Sequence, residues 1–149
     1  MTMTLSPIAA FALLVGALAL VAIAFALHER PSKPSRLGLA LAASPAGLMI
    51  VLFYSLALHM HQSLGGWPTS IGQHGFPPLL AVHSSIATTW FTILMLLSFC
   101  AWPLAFLLCL IIPRWRSGVY YLGMYALAAL VGLVAMFLAP APFLNWWWD

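Results

Sequence analysis

The side chains best placed for chemistry in this chain are four histidines, His59, His61, His74 and His83. Neutral imidazole ligates zinc and copper and serves as an axial ligand to haem, so a metal ion or a haem is the cofactor such a cluster would hold. Spacing tempers the idea. On a regular helix His59 and His61 diverge by about 200°, so they chelate together only where the helix has frayed. The only carboxylates are Glu29 and Asp149, and neither lies near enough in sequence to orient an imidazole from behind. The competing structural reading is four amphipathic residues at a membrane boundary, bonded to loop carbonyls.

Other chemistry is excluded by composition. Two carboxylates on opposite sides of a membrane cannot act as an acid/base pair. The sequence has no phosphate-binding glycine loop and no Ser-His-acid set. Cys100 and Cys109 lie nine positions apart and project from opposite faces of a helix, so they do not bridge. Their spacing fits neither a zinc nor a dithiol motif.

The elements that must position the histidines are apolar helices. Of 149 residues, 64% are hydrophobic and 5% charged, whereas soluble domains carry roughly 25% charged residues. Lipid is the solvent that suits such a surface. Four apolar segments follow, at about 7–27, 37–58, 79–112 and 119–139, each long enough for a hydrocarbon core of about 30 Å. They predict an all-α integral membrane protein, a four-helix transmembrane bundle forming a single domain over residues 1–149. The first segment also ends in Ala24-Phe25-Ala26, which imitates a signal-peptide cleavage site. No positive charge precedes it and Arg30, Lys33 and Arg36 follow it, which favours a retained helix.

Small residues mark close-packing faces: Ala12 and Gly16; Gly38, Ala42 and Ala46; and Tyr121, Tyr125, Ala128, Gly132 and Ala135. The third segment would span about 51 Å as one helix, more than the core needs, with kinks expected at Pro45 and at Trp102-Pro103. Ser85, Thr88, Thr89 and Thr92 share one stripe of it, and Ser98 lies off that stripe. A packing seam is the main reading of these hydroxyls, and a path for a neutral solute the lesser one.

Residues Gln62 to Pro78 read as a structured loop rich in glycine and proline, holding Trp67, Ile71 and Phe76. All five Lys and Arg residues lie in the first and third connections. The positive-inside rule therefore places those connections in the cytoplasm and predicts an N-out/C-out protein of the plasma (inner) membrane, with the loop and all four histidines outside. The nominal pI of about 9.2 comes from these topology signals, so no nucleic-acid partner is implied.

No charged residue lies inside an apolar segment, which argues against pumps, voltage sensors and proton-coupled exporters, including the four-helix drug exporters that rely on an embedded carboxylate. Trp146, Trp147 and Trp148, with Trp67, read either as an interfacial aromatic belt or as a docking element for a membrane-protein partner. The expected function is non-enzymatic: an accessory subunit or a self-associating bundle, in contact with the bilayer and with a protein partner or further copies of itself. The alternative is a metal- or haem-binding redox protein using the outer histidines.

Overall fold

The computed structural model describes residues 7–28, 30–68 and 72–149, with side chains from Leu13 onward. Glu29, Ile71 and the side chain of Ala12 fall outside that description. The chain forms α1 (Pro7–His28), α2 (Arg36–Leu64), α3 (Pro78–Leu96), a π turn (Leu97–Ala101), α4 (Trp102–Ile111), a 3-10 turn (Pro113–Trp115), α5 (Gly118–Met136) and α6 (Ala141–Trp148). Among the described residues there is no strand. Three helical stretches are long and apolar enough to cross a membrane: Arg36–Leu64, Pro78–Ile111 and Gly118–Met136. The described part of α1, Leu13–His28, is apolar but shorter.

Local chemistry sets these boundaries. The Ser35 side chain caps α2 by accepting the Gly38 N–H at 3.3 Å, and Gly65, at φ 67°, ends the helix in the left-handed conformation that glycine tolerates. The helix outruns the expected boundary at Leu58 because its buried face continues through Met60. It also runs unbroken through Pro45. Proline offers no N–H to the Leu41 carbonyl, and the Ser44 hydroxyl donates to that carbonyl instead at 3.2 Å.

The long third segment is continuous, and the irregularity expected at Trp102-Pro103 appears as the π turn just before it. There the Trp102 N–H bonds to the Leu97 carbonyl, five residues back. A proline ring in an α-helix presses on the carbonyl four residues earlier, here that of Phe99, and the wider turn relieves the contact. The fourth segment stops at Met136 rather than Ala139. The Tyr54 hydroxyl donates to the Ala135 carbonyl at 2.7 Å, and the chain tightens through bonds from Leu138 to Ala135 and from Ala139 to Met136. Pro140 and Pro142 then open α6, because a helix needs no N–H in its first turn. The aromatic tail is thus a helix, which the sequence reading did not foresee.

The long helices run up and down in turn. α5 lies between α1 and α2. Near one end an added Cβ on Gly123 would collide with Ala26 and with the Ala22 carbonyl, and one on Gly38 with the Tyr121 ring. Tyr121 also accepts the Ser35 N–H at 2.8 Å. Gly132 meets Ala46 further along. Two faces expected to be small, those of α2 and α5, therefore close against each other within the chain, whereas Gly16 has nothing within 4 Å of an added Cβ.

The interior has two buried clusters. One, around Met49, Phe53, Leu56, Met60, Leu80 and Phe143, lies toward the end covered by α6. The other, around Ala22, Trp102, Phe106, Val119 and Ala126, lies toward the end carrying the connections 30–35 and 112–117. All five Lys and Arg residues belong to that second end, in or beside those connections. Large apolar side chains such as Leu41, Val51, Leu104 and Val134 face outward, a surface suited to lipid rather than water.

Candidate functional site at the capped end

The last turns of α2 and the first turns of α3 bring two of the four histidines together. His59 Nδ1 lies 3.0 Å from His83 Nδ1, and His83 Nε2 lies 3.2 Å from Ser55 Oγ. Ser55 in turn donates to the Leu52 carbonyl at 3.1 Å. That last bond assigns the protons. Because the Ser55 proton goes to Leu52, Ser55 accepts from His83, so His83 carries its proton on Nε2. Its Nδ1 is then a lone pair, and His59 must supply the Nδ1 proton between the rings. One arrangement of neutral rings satisfies all three bonds.

Two imidazole nitrogens leave a tetrahedral ion two ligands short. For a metal to sit between them, both Nδ1 atoms must present lone pairs, so His59 would have to move its proton to Nε2 and the bond between the rings would be lost. The other two candidates lie elsewhere. His61 projects off a helix that is regular through Leu64, so it diverges from His59 and sets its ring edge-on to Trp67, 4.8 Å between centroids. His74 is exposed in the turn following Gly72. Among the described residues, no three His, Cys, Asp or Glu side chains gather in a set that could hold a metal.

The aromatic residues singled out as docking elements largely pack onto their own chain. Phe143 is fully buried, between Phe53 at 4.9 Å and Trp67 at 6.1 Å. Trp146 donates its indole N–H to the Gly72 carbonyl at 2.9 Å, and its ring lies 5.7 Å from Phe76. Trp147 meets Phe53 and Phe91 edge-on at 5.1 and 5.6 Å. Trp148 stacks on Phe137 at 5.8 Å but stays 46% exposed. From below, Gln73 donates to the buried Ser84 hydroxyl at 3.0 Å, tying the loop to α3. α6 and the loop together form a lid over the end of α2 and α3.

Two hydroxyls of the α3 stripe bond back to their own helix backbone. Thr88 donates to the Ser84 carbonyl and Thr92 to the Thr88 carbonyl, each at 2.9 Å. Ser85 and Thr89 line an open groove between α2 and α3 whose other walls are apolar. Ser55, Gln73 and Ser84 were not among the candidates. Ser55 was within reach, since a residue four before His59 shares its helical face. Gln73 carried no signal, because a glycine-rich turn has no period from which to read a direction.

If the imidazole pair is one bonded unit, His59→Ala and His83→Ala should each cost about 1 kcal/mol of stability. The double variant should then lose little more than either single one, as thermal unfolding in detergent and a double-mutant cycle would show. Strictly additive losses would mean that the rings do not interact.

No family model matches the chain, and no curated protein or solved structure is similar enough to it to count as a match.

Proposed function

We propose that the chain is a four-span protein of the plasma membrane, with both termini outside, acting without catalysis as an accessory subunit of a larger membrane complex. The observation that carries the orientation is the polarity of the bundle. All five basic residues sit in or beside the connections at one end, and the aromatic lid closes the other. Positive charge stays on the cytoplasmic side, and tryptophan favours the headgroup boundary. The preference for an accessory subunit over self-association comes from the glycine faces. Gly38, Gly123 and Gly132 all meet helices of the same chain, leaving no small-residue face of α5 for a second copy. The side chains of the imidazole pair and of Thr88 and Thr92 are engaged in structural bonds, which supports a non-catalytic role. On the lid, the exposed Trp148 is the aromatic surface offered to a protein partner.

A reporter enzyme active only outside the cytoplasm tests the orientation. Fused after Asp149 it should be active, and inserted near Ser117 it should be silent. The reverse pattern would put the lid and the imidazole pair in the cytoplasm. Cross-linking in native membranes tests the choice of assembly: a ladder at multiples of 16.2 kDa would favour the self-associating bundle.

A further inference from the structure

We propose that the void between the two core clusters is a binding site for a neutral, lipid-soluble carbonyl compound, held through its oxygen by the Ser98–Tyr125 hydroxyl pair. The inference rests on the reading that these helices cross a bilayer.

The void arises from the path of the long third helix. Its first part, α3, packs on α2, and its second part, α4, packs on α5 and α1. The π turn lies where it passes from one set of neighbours to the other. In the wedge left behind is a partly enclosed cavity of about 310 Å³, reached by residues of α1, α2, α3, the π turn, α4 and α5. Met49 and Met136 of one core cluster and Trp102 and Ala126 of the other form its two ends. Gly16, Ala19, Ala46, Ala129 and Gly132 leave its sides without bulk. An unfilled gap of this kind forfeits dispersion contacts along its whole lining, so an occupant is favoured. The volume lies at the lower end of the range of about 300–1,000 Å³ for ligand pockets, enough for a ring system.

The lining identifies the chemistry of the occupant. No Asp, Glu, Lys, Arg or His borders the cavity, so a charged ligand would enter without a counter-ion. Its hydroxyls are those of Ser98 and Tyr125, bonded to each other at 2.7 Å. The Trp102 N–H is already given to the Leu122 carbonyl at 2.9 Å. Two hydroxyls hold two protons and their mutual bond uses one, which leaves the pair one donor for an incoming oxygen. Gly16, Met49 and Leu94 stand near the middle of their helices, so the pair lies deep in the bilayer. Phospholipid ester carbonyls stay at the edge of a hydrocarbon core about 30 Å thick. An acceptor at this depth must belong to a molecule that dissolves in the core, such as a lipophilic ketone or the ring of a membrane quinone.

Benzophenone, a neutral diaryl ketone that cross-links to nearby C–H bonds under ultraviolet light, is the probe. With the full chain in phosphatidylcholine vesicles, saturable labelling should fall on the buried Met49 and Met136, read by mass spectrometry of peptides. Labelling confined to outward-facing residues, or labelling that does not saturate, would overturn the proposal. Either single variant, Tyr125→Phe or Ser98→Ala, leaves one free hydroxyl proton, so the double variant Tyr125→Phe/Ser98→Ala is the one that should weaken half-saturation roughly two- to tenfold, the range for one hydrogen bond. Gly16→Leu should abolish cavity labelling, since its side chain enters open space. Should Gly16→Leu fail to fold, the near-isosteric double variant Tyr125→Phe/Ser98→Ala decides alone. Unchanged half-saturation in the double variant would overturn the role of the hydroxyl pair. The reporter fusions decide the orientation independently, so an inverted protein that still labels at the two buried methionines retains the site.

Discussion

Replacing Gly123 with leucine should unfold the α1–α5 contact and produce the largest loss of stability of any single change in α5. A Cβ at this position would collide with Ala26 and come within 2.6 Å of the Ala22 carbonyl oxygen, a backbone atom that can yield only if α1 moves. Overpacking of this kind costs about 3 kcal/mol or more when backbone has to shift, and helices in lipid depend on close backbone approach for their attraction. Alanine should already be damaging here. At Gly132 a Cβ would stand 3.5 Å from that of Ala46, ordinary contact, so Gly132→Ala should be nearly neutral and only Gly132→Leu should disturb α2. Thermal unfolding in detergent ranks the four variants. Gly123→Ala melting together with the parent would show that α1 is not held this tightly.

Phe143→Ala should open the lid while leaving the bundle standing. The ring is fully buried and stands between Phe53, Trp67, Trp146 and Trp147. Losing a buried phenylalanine costs about 3–5 kcal/mol, a large share of what can hold an eight-residue helix in place. Local release of such a unit precedes global unfolding when its contacts are the weaker set. Limited proteolysis should therefore cut within residues 65–77 and after Met136 in Phe143→Ala, with α2 and α5 still protected. Trp148→Ala, at a side chain already 46% exposed, should change little. A Phe143→Ala protein as resistant as its parent would mean that α6 is held by Trp146 and Trp147 alone.

The apolar segments were legible because lipid leaves its mark on composition: long uncharged runs have few other uses. Their ends were less so. The end of α2 was placed six residues early because His59, His61 and Gln62 broke the apolar run, although Met60 kept the buried face going. At the same end of the bundle, Pro140 and Pro142 were read as stops. The same residues are starts when a new helix follows, and nothing in eight residues of aromatic sequence separates a belt at the membrane surface from a lid. The His59–His83 pairing needed tertiary geometry, since the two residues are joined only by how α2 meets α3. The face is legible: seven residues apart, His83 and Trp90 share a side of a regular helix, and both turn to α2, where Trp90 donates to the Pro45 carbonyl at 3.2 Å.

The bond from Trp146 to Gly72 spans 74 residues, and every partner of α6 precedes it in the chain. A ribosome therefore delivers α2, the loop and α3 to the membrane before the element that covers them exists. Until residues 141–148 emerge, Phe53, Trp67 and Phe76 have no aromatic roof, and the loop is held to α3 by Gln73. The lid thus separates two phases of assembly in time. An open interval exists during synthesis in which any component destined for that end can enter, and it ends when Phe143 reaches its place. Delaying α6 with a flexible insertion just before Pro140 would lengthen that interval.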